Sequence, residues 1–174
     1  VYKSRALAVL TAEGYSVTAA EPADKARPLC CGRTFLSSGM VDEARVEAQR
    51  VIASLRPFVE RGIPIVGLEP SCLLTLRDEF PSLLPGDESN ALSQHAFLFE
   101  EFLAAEAAKG QLQLNLKALP AKRALLHGHC HQKAFAVMSS VQKVLSMVPE
   151  LEVEVVESSC CGMAGSFGYD AKYF

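Results

Sequence analysis

The chain has 174 residues, of which 49% are hydrophobic and 21% charged, with a net charge of −3 at pH 7. That is the composition of a globular protein with room for one well-buried domain or two small fused halves. It carries no basic stripe or RNA-reading motif, so nucleic acid is not an expected partner; no apolar run approaches the roughly 20 residues that span a bilayer, and no signal peptide is visible.

Arg5 to Leu10 places Ala and Leu at helical spacing, and Gly14 closes that segment as a C-terminal cap would. Tyr15 to Ala20 is predicted as a short strand, followed by a polar loop, Glu21 to Arg27, that leads into Cys30-Cys31-Gly32. From Asp42 to Arg61, Ala44, Ala48, Val51, Ile52, Leu55 and Val59 form one apolar helix face. The charged residues of Asp42 to Arg56 are read as its solvated side, with small pairs such as Asp42/Arg45. Ile63 to Leu68 is a buried-strand candidate that delivers Glu69-Pro70-Ser71-Cys72. Leu73 to Phe80 resumes helical spacing, Pro81 to Ser89 reads as a loop, and Ala91 to Ala108 as one amphipathic helix carrying an isolated His95. In the second part, Arg123 to Leu126 is a strand ending in His127-Gly128-His129-Cys130-His131. A helix is marked by Ala134, Val137, Met138, Val141 and Leu145, and the strand Leu151 to Val156 runs towards Ser158-Ser159-Cys160-Cys161-Gly162. Val1 in place of Met, and a helix-like opening at Tyr169 to Phe174, suggest a piece of a longer protein.

Cys30, Cys31 and Gly32 recur 130 positions later as Cys160, Cys161 and Gly162. A repeat of that length is a duplicated domain rather than a solenoid. The expected fold is therefore α/β: two Rossmann-like repeats in pseudo-twofold relation, residues 1–111 and 112–174, with mainly parallel sheets and helices on both faces. In such sheets, sites form at the carboxyl ends of strands, and each of the six cysteines follows a predicted strand. Adjacent cysteines make poor disulfide partners, so a reduced compartment and a metal or redox role are expected. Thiolates are the usual ligands of iron–sulfur clusters. Zinc would also accept Cys130, Cys160 and Cys161 together with His129 or His131. The alternative role for these histidines is capping a helix or tuning a cluster through hydrogen bonds, and that role is favoured for His127. Glu69 and Glu157 precede cysteine loops, where a carboxylate is usually just solvated.

Four stretches carry a family resemblance. They are Pro28-Leu29-Cys30-Cys31-Gly32, Gly67-Leu68-Glu69-Pro70-Ser71-Cys72, His127-Gly128-His129-Cys130-His131-Gln132-Lys133, and Ser159-Cys160-Cys161-Gly162-Met163-Ala164-Gly165-Ser166-Phe167-Gly168-Tyr169. Together they resemble the cysteine-rich (CCG) domain family, which includes a subunit of heterodisulfide reductase, the iron–sulfur subunits of glycolate oxidase and anaerobic glycerol-3-phosphate dehydrogenase, and lactate-utilisation proteins. The resemblance is strongest to the C-terminal iron–sulfur region of FAD-linked oxidases of the D-lactate dehydrogenase type. It implies that Cys30, Cys31 and Cys72 serve one half and Cys130, Cys160 and Cys161 the other, as ligands of [4Fe–4S]-type clusters or as redox groups beside one. It implies no complete catalytic site in this chain, which reads as an oxidoreductase fragment inactive alone and able to be purified without metal. FAD would sit on a separate domain or subunit, and a further iron–sulfur domain and a quinone or other acceptor would be the partners. The expected location is the cytoplasm, with the parent enzyme able to sit peripherally at the inner face of the membrane. The sequence departs from the fullest form of the family. Its first half has no leading cysteine, Cys72 has no Cys-x-x-Cys partner, and the second half stops before its final cysteine. The alternative reading is a structural zinc-binding or partner-docking domain without redox activity. A thiol–disulfide enzyme built on the adjacent pairs is the weaker third reading.

Overall fold

The computed structural model describes residues 2–159 and 162. The chain divides into two compact units, one through Asn115 and one from Leu116 onward.

The first unit opens with α1 (Tyr2–Ala12), which Gly14 terminates with a left-handed φ of 81°. Residues 15–20 are not a strand, which corrects the sequence expectation. A strand needs a hydrogen-bonded neighbour. This segment instead lines a cavity of about 440 Å³ together with residues of 63–66, Leu55, Phe58 and Phe102. Cys30 and Cys31 therefore follow an irregular segment rather than a strand end. They lead into α2 (Arg33–Ser37) and then α3 (Val41–Val59). The six apolar positions read along α3 are all buried, and the helix packs against α2. β1 (Ile65–Gly67) leads directly into α4 (Pro70–Arg77) and α5 (Glu79–Leu83). The expected single helix over 73–80 thus breaks at Asp78, and the expected loop over 81–89 is helical at both ends, since α6 spans Asp87–His95.

The helix expected over 91–108 is interrupted by β2 (Ala96–Leu98) before α7 (Phe99–Ala108). The apolar triplet Ala96-Phe97-Leu98 pairs in parallel with Ile65-Val66-Gly67. Glu101 re-starts the helix by accepting the Leu98 N–H at 2.9 Å. The same carboxylate receives Arg77 at 2.7 Å, so one side chain joins the start of α7 to the end of α4. The core of this unit is Leu74, Phe80, Leu92, Leu98 and Leu103, all at most 2% exposed.

The second unit holds β3 (Arg123–Leu126), α8 (Cys130–Ala134), α9 (Met138–Leu145) and β4 (Glu152–Val155). β3 and β4 are parallel, with Leu126 opposite Val155. The expected single helix is split by residues 135–137, where Ala136 takes φ 55°. Both strands alternate exposed and half-buried residues. The architecture is thus mixed helix with short parallel strands, of α/β type. Among the described residues no helix is long and apolar enough to cross a membrane.

Candidate functional site

In the first unit the site is built from the turn at 30–32 and the first turn of α4. Gly32 holds that turn against α3. Its φ is 74°, and a Cβ there would lie 3.2 Å from both the Cα and the carbonyl oxygen of Ala44. Only a residue that tolerates the left-handed region and has no side chain meets both demands easily. The loop before the turn is fixed by charge. Glu47, 1% exposed, receives Arg27 and, at 2.9 Å, Arg50. Arg50 also donates to Asp24 at 2.8 Å and to the Arg27 carbonyl at 2.7 Å. The Arg27 and Arg50 guanidinium groups keep the Glu47 carboxyl ionised against its burial, and Arg50 holds Asp24 down at about 2. Glu47 and Arg50 are therefore buried or half-buried anchors, not part of a solvated helix face as expected. The signal was present in the sequence: Glu47 falls between Ala44 and Ala48 on the apolar stripe.

On the facing element, Glu69 is the N-cap of α4. Its carboxylate accepts the Cys72 N–H at 2.6 Å, with Pro70 at the first helical position. A proline there marks a helix start, so Glu-Pro-Ser-Cys could have identified Glu69 as a cap rather than a solvated carboxylate. Burial pushes the Glu69 carboxyl up, but the Cys72 and Ser71 hydrogen bonds outweigh it and hold it below its ordinary value. Arg33, which follows the turn, reaches Thr75 of α4 at 3.4 Å and pairs with Glu79 of α5.

These supports bring Cys31 and Cys72 together, with their Sγ atoms 3.1 Å apart. The hydrogen bond between the thiols favours the Cys31 thiolate and lowers its pKa to about 6, although partial burial opposes this. The same bond, with burial, pushes the Cys72 thiol up. Cys30 faces its own turn, and its Sγ accepts the Gly32 N–H at 3.4 Å.

In the second unit the loops after β3 and β4 are tied together. His127 Nδ1 and Ser158 Oγ share a 2.8 Å hydrogen bond, and Lys133 Nζ donates to the Ser158 carbonyl at 2.8 Å. His129 is the N-cap of α8, with its Nδ1 accepting the His131 N–H at 3.2 Å, and the two imidazoles stack at 5.3 Å. Cys130, half-buried, is the first residue of that helix. Cys160 and Cys161 lie outside the described residues, two and three positions after Ser158. Among the described residues, no group of three or more His, Cys, Asp or Glu gathers within reach of one metal ion.

The first unit thus presents a thiol pair on a glycine turn and a capped helix start. Residues 3–77 match the family described as "Cysteine-rich domain" (CCG). Several curated proteins are similar across most of the chain. It is 34% identical to one subunit of the anaerobic glycerol-3-phosphate dehydrogenase of Escherichia coli K12, over 83% of this chain and 36% of that protein. It is 27% identical to the D-2-hydroxyglutarate dehydrogenase of Haemophilus influenzae, over 81% of this chain and 14% of the relative. It is 25% identical to lactate utilization protein A 2 of Bacillus cereus strain Q1, over 79% and 57%. The chain thus spans about a third of the length of the E. coli relative. No solved structure matches it.

Proposed function

We propose that this chain is the iron–sulfur electron-transfer module of an FAD-linked 2-hydroxy-acid dehydrogenase of the lactate or glycolate type. The observation that carries this reading is the convergence of Cys31 and Cys72 from separate loops to 3.1 Å. It occurs within the cysteine-rich match, in a chain similar to a dehydrogenase and a dehydrogenase subunit.

The donor chemistry fits a cluster: soft thiolates, one of them favoured in the ionised form, on turns held by packing and capping. Cys30, Cys31 and Cys72 would hold one cluster, and Cys130, Cys160 and Cys161 a second. Each trio is one thiolate short of the four that a [4Fe–4S] cluster takes. The fourth ligand would be a further residue of the longer protein, a side chain of another type, with His129 and His131 the candidates beside Cys130, or a group from a partner. A bound cluster would accept and release single electrons between a flavin on another domain and a quinone or other acceptor. Glu69, Arg50 and Gly32 are positioning residues that keep the thiols in place. The duplicated, pseudo-twofold arrangement of Rossmann-like halves and a location at the cytoplasmic side of a membrane belong to the same proposal. The alternative occupant of the trio Cys130, Cys160 and Cys161 is zinc, which would take His129 or His131 as a further ligand.

Anaerobic reconstitution followed by stepwise reduction and electron paramagnetic resonance tests the reading. A signal that appears on reduction and is clearly diminished in Cys31→Ser supports it. Stoichiometric zinc with no redox response would overturn it.

A further inference from the structure

We propose that Cys31 and Cys72 are a modification site: a small-molecule disulfide of the glutathione class oxidises them to an intramolecular disulfide, which excludes ligation by either sulfur. The inference goes beyond the cluster reading, and its test uses metal-free protein, so the two can fail separately.

The geometry carries it. The two Sγ atoms are 3.1 Å apart, and a disulfide bond is about 2.0 Å long, so closure needs about 1 Å of approach. The pair is open to a reagent, with Cys72 exposed and Cys31 half-buried. Each thiol is carried on a fixed support, Cys31 next to Gly32 against Ala44 and Cys72 on the Glu69-capped turn of α4. The competing bond, between adjacent Cys30 and Cys31, is strained. Cys30 is also engaged with its own turn through the Gly32 N–H. The sequence, with its adjacent pairs, directs attention to the wrong partner; the fold pairs Cys31 with a cysteine 41 residues away.

The chemistry balances as thiol–disulfide exchange. A thiolate of the pair attacks one sulfur of the reagent RSSR; that S–S bond breaks, a mixed disulfide forms and one RS⁻ leaves. The second cysteine, giving up its proton, attacks the protein sulfur of the mixed disulfide. The Cys31–Cys72 bond forms and the second RS⁻ leaves. The protein loses two electrons and two protons, and the reagent is reduced to two thiols.

The test equilibrates reduced, metal-free chain with glutathione mixtures of graded redox ratio, blocks residual thiols by alkylation, and maps linkages by non-reducing proteolysis and mass spectrometry. The expected result is a Cys31–Cys72 cross-linked peptide, with both residues losing alkylation at one shared redox midpoint. The cross-link persists in Cys30→Ser, and Cys72→Ser retains a glutathione adduct on Cys31. A dominant Cys30–Cys31 link, stable adducts on both Cys31 and Cys72, or different midpoints for the two residues would overturn the proposal. The wild-type mapping alone decides it if a variant fails to fold.

Discussion

Gly32 and Ala44 touch through their backbones: a Cβ on Gly32 would stand 3.2 Å from the Ala44 Cα and carbonyl oxygen, and Ala44 is fully buried. The third residue of the Cys-Cys-Gly turn is therefore a packing element as well as a flexible one. It fixes where Cys31 emerges relative to α3. Gly32→Ala is expected to lose about 1–3 kcal/mol of unfolding free energy, combining the left-handed backbone cost with a contact that helix backbone cannot relieve. Gly39→Ala is the control, since Gly39 has φ 75° but open space around it. It should lose only the backbone part, about 1 kcal/mol. Denaturant titration of both variants measures this, and equal losses would show that the Ala44 contact carries no weight.

Arg50 should be the most sensitive charged residue of the first unit. Removing it leaves Glu47 at 1% exposure with only Arg27, and releases the 24–28 loop from three anchors, Asp24 and the carbonyls of Arg27 and Pro28. Arg50→Ala is expected to lower the urea midpoint clearly, because an incompletely paired buried carboxylate remains. Arg45→Ala, which breaks an exposed pair with Asp42 and an exposed 3.4 Å hydrogen bond to the Leu83 carbonyl, should leave the midpoint almost unchanged. Lysine restores the charge but not the planar fork, so Arg50→Lys should recover only part. Urea midpoints of the three variants check the order.

The same network gives an acid-side signature. Asp24 is held at about 2, below its ordinary 3.8, chiefly by its hydrogen bond from Arg50. A depressed carboxyl contributes stability that is complete above the ordinary value and lost as pH falls through the folded value. The Asp24 contribution should therefore fade between about pH 4 and 2. Asp24→Asn should flatten that part of the stability–pH curve while leaving the region above it parallel to wild type.

Tyr15 gives the opposite sign at the alkaline end. Burial first, and its 2.7 Å hydrogen bond to Glu106 second, push its hydroxyl up from 10.0 to about 12. A raised group contributes stability that is full below its unfolded value and lost as pH rises through the folded one. Stability from Tyr15 is thus expected up to about pH 10 and fades towards 12. Ultraviolet titration should show a late tyrosinate that is missing in Tyr15→Phe.

The helical stripe of α3 was legible in the sequence because six apolar residues repeat at one period and all of them are buried. β3 was legible as well, since its four residues lie between Lys122 and a His-Gly turn. The run Tyr15–Ala20 was not, because a strand is defined by its neighbour and its own residues cannot supply one. β2 was hidden inside a helical period, and only its pairing with Ile65–Gly67 reveals it. Within the site, the cysteines announced themselves by spacing. The partnership of Cys31 with Cys72 depends on the close approach of α2, α3 and α4, which no local pattern encodes.

Ligation of iron by the thiols of this chain is the property on which the proposed electron transfer depends. Iron and acid-labile sulfide measured on the anaerobically reconstituted chain, with and without the double change Cys31→Ser and Cys72→Ser, test it most directly. The expected result is bound iron and sulfide in roughly equal amounts, as in a [4Fe–4S] cluster, falling by at least about half in the variant as one of two sites is lost. No iron in the wild type, or the same iron in both proteins, would contradict it.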